Sequence, residues 1–337
     1  MAAYAVELLR GGLVESRVRA DVAVVDSLGH IRYWFGDPDY RTFWRSSAKP
    51  FQALPLLEAG GQAAFHLTPE EIAIICASHG GEAQHLALVT ALLERLGASP
   101  DELICGIHPP SHRDTAWELI RQHQAPTVLH NNCSGKHTGM LMLATLLNAP
   151  RSGYHLPDHP VQQHIRQAVL TMTRLRPDDL ATGIDGCGVP TFYLPLSRMA
   201  LAYARLVDPR GLDVGTAGAA WMIAEAMRHH PELVSGTGRL EVTLAEATDY
   251  RFVAKGGAEA VFCLGIPERG LGIAVKLEDG NSRVMGPVVA EILRQLDELT
   301  PEMEEKLADV LHPVITNHSG TVVGAIRPVL TLHAGRL

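Results

Sequence analysis

The chain has 337 residues, 46% of them hydrophobic and 20% charged, with 29 basic against 37 acidic side chains for a net charge of −8. This is ordinary globular composition, long enough for one large domain or two modest ones, and a mean hydropathy of +0.05 without any apolar run of bilayer length excludes a membrane-spanning helix. The acidic balance argues against a nucleic-acid surface, and the odd count of five cysteines, with no basic and apolar leader pattern over residues 1–10, predicts reduced thiols in a cytoplasm rather than a disulfide framework.

Residues 5–35 read as β, with a turn at Ser27-Leu28-Gly29-His30 before a strand at 31–35. A helical pattern follows Ser47, where Phe51, Leu54 and Leu57 recur at three- and four-residue spacing, and Gly60-Gly61 ends it. Thr68-Pro69-Glu70-Glu71 is a helix start with cap, proline and acidic first turn. Further helices are predicted over 82–96, 134–147, 161–175 and 213–230, with loops at Pro109-Pro110 and over 151–160. Strands are predicted over 260–265, 272–277 and 321–327, with helices over 283–299 and 301–311 between them. The order is β, then mostly α, then β plus α. It fits a mixed α/β (α+β) chain, residues 1–337 as a single domain or two interleaved lobes, whose sheet takes strands from both ends around a helical middle.

Three short elements carry hydroxyl and amine chemistry. In Ser46-Ser47-Ala48-Lys49 the serine and lysine are three apart, a spacing that shares one helix face. A serine needs a base, and a lysine amine serves once burial or a second positive charge brings its pKa from about 10 towards 7. The competing reading is a helix-capping serine and a solvated lysine, and Pro50 disfavours a helical Lys49. Lys255-Gly256-Gly257 resembles the Lys-Thr-Gly element of serine acyl-transferring enzymes, although it also suits a plain turn. Cys76-Ala77-Ser78-His79-Gly80-Gly81 delivers Ser78 and His79 into a glycine turn before a helix, a place for a nucleophile or an oxyanion.

Two thiols sit in glycine-framed polar loops: Cys133 in Asn131-Asn132-Cys133-Ser134-Gly135-Lys136-His137, and Cys187 in Gly183-Ile184-Asp185-Gly186-Cys187-Gly188-Val189-Pro190. Cys76, Cys105 and Cys263 lie in apolar contexts and read as core thiols. Two cysteines need a third donor to hold zinc. His137 is the conventional choice, because Lys136 coordinates only as a neutral amine, whose deprotonation at pH 7 costs roughly 4.6 kcal/mol.

Taken together, the blocks beginning at Arg45, Cys76, Asn131, Gly183 and Ala254 resemble the asparaginase II family, the inducible rhizobial-type class that is unrelated to the threonine-nucleophile asparaginases. That resemblance implies a fold similar to serine β-lactamases, penicillin-binding proteins and glutaminases of that fold. It also implies hydrolysis of L-asparagine to L-aspartate and ammonia in a cytoplasmic homodimer with no nucleic-acid or membrane partner. By motif match it implies two Ser-Lys pairs, Ser46 with Lys49 and Ser78 with Lys255. It implies Zn2+ on Cys133, Lys136 and Cys187, which sets His137 aside as ligand. His137, Asp185 and Arg45 then support the metal or touch substrate. Two other readings stand beside this one: a zinc-hydroxide amidohydrolase, and a non-catalytic zinc or amino-acid sensor on the same fold.

Overall fold

The computed structural model describes residues 3–335, and both ends of the chain contribute strands to one large sheet, as the sequence pattern predicts. β1 (Ala3–Arg10), β2 (Leu13–Asp26) and β3 (Ile31–Phe35) open the chain. β4 (Arg41–Phe43), β5 (Ala181–Ile184) and β6 (Pro190–Pro195) make a separate small sheet in the order β4-β6-β5. β7 (Val253–Gly257), β8 (Val261–Ile266), β9 (Leu271–Leu277), β10 (Val314–Thr316), β11 (Val322–Pro328) and β12 (His333–Ala334) return to the large one. Its path runs β10-β11-β1-β2-β9-β8-β7, with β3 on β2 and β12 on β3. All of these pairings are antiparallel. β7, which carries Lys255, is an edge strand.

Period-two alternation divides the central strands between two cores. Val22, Val24, Phe262, Leu264, Ile273 and Val275 point into one, and Ala23, Val25, Val261, Cys263 and Ala274 into the other. The helical middle lies mostly on the second face, although Leu244 and Ala247 of its last helix pack into the first core. It contains α1 (Lys49–Glu58), α2 (Gly61–Phe65), α3 (Pro69–Ile75), α4 (Ala83–Leu96), α5 (Arg113–Arg121), α6 (Ser134–Leu146), α7 (Pro160–Thr173), α8 (Leu196–Val207), α9 (Val214–His229), α10 (Pro231–Ser235) and α11 (Leu240–Ala247). The first face packs on α12 (Met285–Gln295), followed by α13 (Pro301–Lys306) and α14 (Ala308–Leu311). Thr68 and Glu71 close the capping box that starts α3, as their spacing predicts.

Several elements differ from the sequence reading. α8 is the helix laid across the sheet, and it is buried almost all round and has no side-chain cap, so it shows no start signal. It reaches the sheet because Gly272 has no side chain: a Cβ there would lie 1.9 Å from the Ala200 carbonyl oxygen. The single helix predicted over 301–311 is two, bent where Leu307 turns fully into the core. Lys49 is helical despite the following proline (φ −59°, ψ −36°), because a 3-10 turn over Arg45–Ala48 leads into it and Pro50 falls in the first turn of α1. Among the described residues no helix is long and apolar enough to cross a membrane.

Candidate active site

The residues of the three hydroxyl and amine elements meet at one cleft of about 380 Å³, whose walls include Ser46, Ser78, Asn132, Lys255, Arg239 and Glu241. Ser46 is half-buried on the 3-10 turn before α1. Arg45 before it has φ +52°, left-handed for a side-chain-bearing residue, a strain that survives only where the surroundings fix it. Arg45 Nε donates to Asp185 Oδ1 at 2.9 Å and ties this turn to the Gly183–Pro190 loop. Gly257 of β7 lets the turn approach, since a Cβ there would meet Trp44 O at 3.2 Å and Ser46 N at 3.3 Å. Ser47 Oγ donates to Lys255 O at 2.8 Å, which fastens the turn to the strand.

Lys49 is 1% exposed, and its amine faces three oxygens: Ala77 O at 2.5 Å, Ser78 Oγ at 2.8 Å and Asn132 O at 3.3 Å. Two of these are carbonyls that only accept. Nζ donates to these two carbonyls and to the Ser78 hydroxyl oxygen. Burial lowers the Lys49 pKa, with Lys136 helping and Cys133 opposing. The pairing thus differs from the sequence expectation, because Lys49 meets Ser78 and Lys255 Nζ donates to Gly256 O at 2.8 Å. The reason is that a buried amine must find acceptors, and the two carbonyls open to Lys49 flank Ser78.

Ser78 follows α3 on a loop whose amides are all engaged: Ser78 N donates to Val234 O and His79 N to Asn132 O. His79 is fully buried, bonded through Nε2 to Ser134 Oγ at 2.9 Å and stacked on His85 at 5.0 Å. Burial holds its pKa well below the ordinary value, so it is a neutral strut and not a charge in the cleft. Lys255 is 1% exposed, and burial brings its amine down from 10.5 to about 7, with Glu241 opposing and Lys49 helping.

The two loop thiols and Lys136 converge beside this cleft. Lys136 Nζ donates to Cys187 Sγ at 2.9 Å. A hydrogen bond from Cys187, with help from Lys49 and Lys136, holds Cys133 well below the ordinary thiol range against its burial, while the same bond and burial raise Cys187. Burial alone would lower Lys136, but the adjacent Cys133 and Cys187 sulfurs raise it. Among the described residues no group of three His, Cys, Asp or Glu converges to hold a metal. Cys133, Cys187 and Lys136 lie together here, and Lys136, whose pKa is raised, would become a metal donor only by losing its proton. His137 is buried with Nδ1 2.6 Å from Tyr154 Oη, and its Nε2 has no partner among the described residues. Cys76, Cys105 and Cys263 are free and buried, as their apolar contexts predict.

Around and in the cleft stand further residues that no single motif marked as functional. Glu82 accepts from Thr237 N at 3.0 Å and Thr237 Oγ1 at 2.7 Å, joining the Ser78 loop to the loop before α11. Thr237 stands in a Gly-Thr-Gly run that reads as a plain turn. Arg239 and Glu241 at the start of α11 resemble any charged first turn, and only tertiary folding brings them to β7.

A family model described as L-asparaginase II matches residues 6–328, nearly the whole chain. No curated protein sequence matches it. Among solved structures, Mglu in its native form in 4.3 M NaCl is 15% identical at a TM-score of 0.48, the match covering 83% of this chain and 61% of that one. A β-lactamase from Mycobacterium bovis is 13% identical at 0.43, covering 82% and 94% of the two chains. A class C β-lactamase from Rhodobacter sphaeroides is 14% identical at 0.39, covering 87% and 93%.

Proposed function

The chain belongs to the L-asparaginase II family, and from that membership we propose that it hydrolyses the side-chain amide of L-asparagine to L-aspartate and ammonia through a seryl ester. The observation that supports this reading best is the buried Lys49 amine held 2.8 Å from Ser78 in a cleft that Ser46 and Lys255 also line. In the proposed reaction Ser46 Oγ attacks the amide carbon. Lys49, one helical turn on from Ser46 and hydrogen-bonded to Ser78, takes the proton. The Ser46 amide is among the unpaired N–H groups at the open start of the helical stretch and faces the oxyanion, together with N–H groups at the end of β7. The nitrogen leaves as ammonia with the returned proton, and water hydrolyses the β-aspartyl ester. Ser78 and Lys255 relay protons, and Lys255 is poised for it near pH 7.

A second reading makes Ser78 the nucleophile, and the same 2.8 Å contact favours it. The two are separated by peptide mass mapping of the aspartyl ester trapped by rapid acid quench.

The proposal includes Zn2+ on Cys133, Lys136 and Cys187, where, when bound, it would supply a fixed positive charge that orders the two loops beside the cleft. In its absence Lys136 holds the same place by its hydrogen bond to Cys187. Arg45 and Asp185 set the Ser46 turn, and His137 supports α6 through Tyr154. The cytoplasmic homodimer belongs to the same proposal. The test is ammonia release from L-asparagine and L-glutamine, with and without added zinc.

A further inference from the structure

Two oppositely charged side chains border the proposed site without being used by the amide chemistry. Arg239 caps the start of α11 and is exposed, and Glu241 is two residues on, in the wall of the cleft. Glu241 is only 8% exposed, yet among the described residues its carboxylate has no ion pair. One of its oxygens accepts from Gly256 N at 2.8 Å, in the strand that carries Lys255. The neighbouring Lys255 supplies only part of a compensating charge near neutral pH. A carboxylate buried with one hydrogen bond is costly unless a cation joins it. Arg239 likewise has no carboxylate partner among the described residues, and its planar fork suits one. A positive and a negative group two residues apart, lining the same cleft as Ser46 and Ser78, match the charge pattern of a free amino acid.

We infer that Arg239 receives the α-carboxylate and Glu241 the α-ammonium of an amino-acid substrate, so that the side-chain amide is presented to Ser46 and Ser78. This inference rests on the amidohydrolase reading for the identity of the presented group. It makes the pair a specificity device, which selects free zwitterionic amino acids over amides that lack either charge. A peptide-bonded asparagine, without both charges, is excluded.

The test compares L-asparagine with β-alaninamide, which lacks the α-carboxylate, and succinamate, which lacks the α-amine, for wild type, Arg239→Met, Arg239→Lys and Glu241→Gln. Glu241→Gln keeps an acceptor for Gly256 N, and Arg239 is on the surface, so the fold is retained. Arg239→Met is expected to raise KM for L-asparagine about ten- to a hundred-fold with kcat little changed, and to collapse the preference for L-asparagine over β-alaninamide. Arg239→Lys restores part of the loss. Glu241→Gln collapses the preference over succinamate instead. An Arg239→Met enzyme that keeps the wild-type preference overturns the inference and leaves the amidohydrolase intact. If wild type releases no ammonia, the amidohydrolase reading fails, and calorimetric titration with L-asparagine decides the clamp. Binding that Arg239→Met abolishes upholds it, and absence of binding overturns it.

Discussion

The amine of Lys49 lies 2.8 Å from the hydroxyl of Ser78 and is 1% exposed, which makes it the base in the proposed reaction. Lys49→Met keeps the volume and removes the base. It is expected to lower kcat on L-asparagine by about 100- to 10,000-fold, the range for loss of a positioned proton acceptor. Ser78→Ala is expected to lower kcat less than Ser46→Ala does. The reverse order, by steady-state ammonia assay, moves the nucleophile to Ser78.

The proposed proton-relay role of Lys255 predicts a pH dependence for the reaction. Its amine titrates at about 7, and the neutral form accepts a proton, so kcat/KM should rise with pH through about 7. Lys255→Met removes that limb of the profile. Stability follows the same shift. The unfolded lysine titrates near 10.5, so between about 7 and 10.5 the unfolded chain binds more protons and stability rises with pH. The penalty is complete below pH 7. Lys255→Met is therefore expected to be more stable than wild type by about 5 kcal/mol at pH 6 and by almost nothing near pH 10.5, as read by chemical denaturation at both pH values.

Cys133, Lys136 and Cys187 should bind zinc as a set. Elemental analysis of the purified protein is expected to find about one zinc per chain, lost in Cys133→Ala and in Lys136→Met. Chelation should lower Tm and reduce turnover in part. Complete and immediate loss of turnover on chelation, with the fold intact, would favour metal-bound hydroxide as the nucleophile.

The closeness of α8 to the sheet predicts a large packing penalty. In Gly272→Ala the new methyl meets the Ala200 carbonyl at 1.9 Å and the Ala204 amide nitrogen at 2.5 Å, backbone atoms that cannot rotate away. Destabilisation of about 3 kcal/mol or more is expected by denaturant titration.

Much of this was legible in the sequence. Thr68 to Glu71 announced α3, and the short apolar runs over 260–265 and 272–277 announced β8 and β9, because caps and bounded apolar runs are local signals. Ser46, Lys49, Ser78, Lys255, Cys133, Lys136 and Cys187 stood in short motifs dense in chemistry-bearing side chains. What the sequence hid is tertiary. The choice of Ser78 as the partner of Lys49 depends on carbonyls 28 and 83 residues away along the chain. Arg239 and Glu241 have no motif, and the strands β10 and β12 are three and two residues long, too short for period or composition to mark, whereas β11 falls on the strand predicted over 321–327. α8 begins without a side-chain cap, so no start signal marks it.

The most direct test of the central claim is the initial rate of ammonia release from L-asparagine by wild type and by Ser46→Ala at pH 8. Steady release by wild type, reduced at least about a thousand-fold in Ser46→Ala, is the predicted result. No release by wild type, or release undiminished in Ser46→Ala, would contradict it.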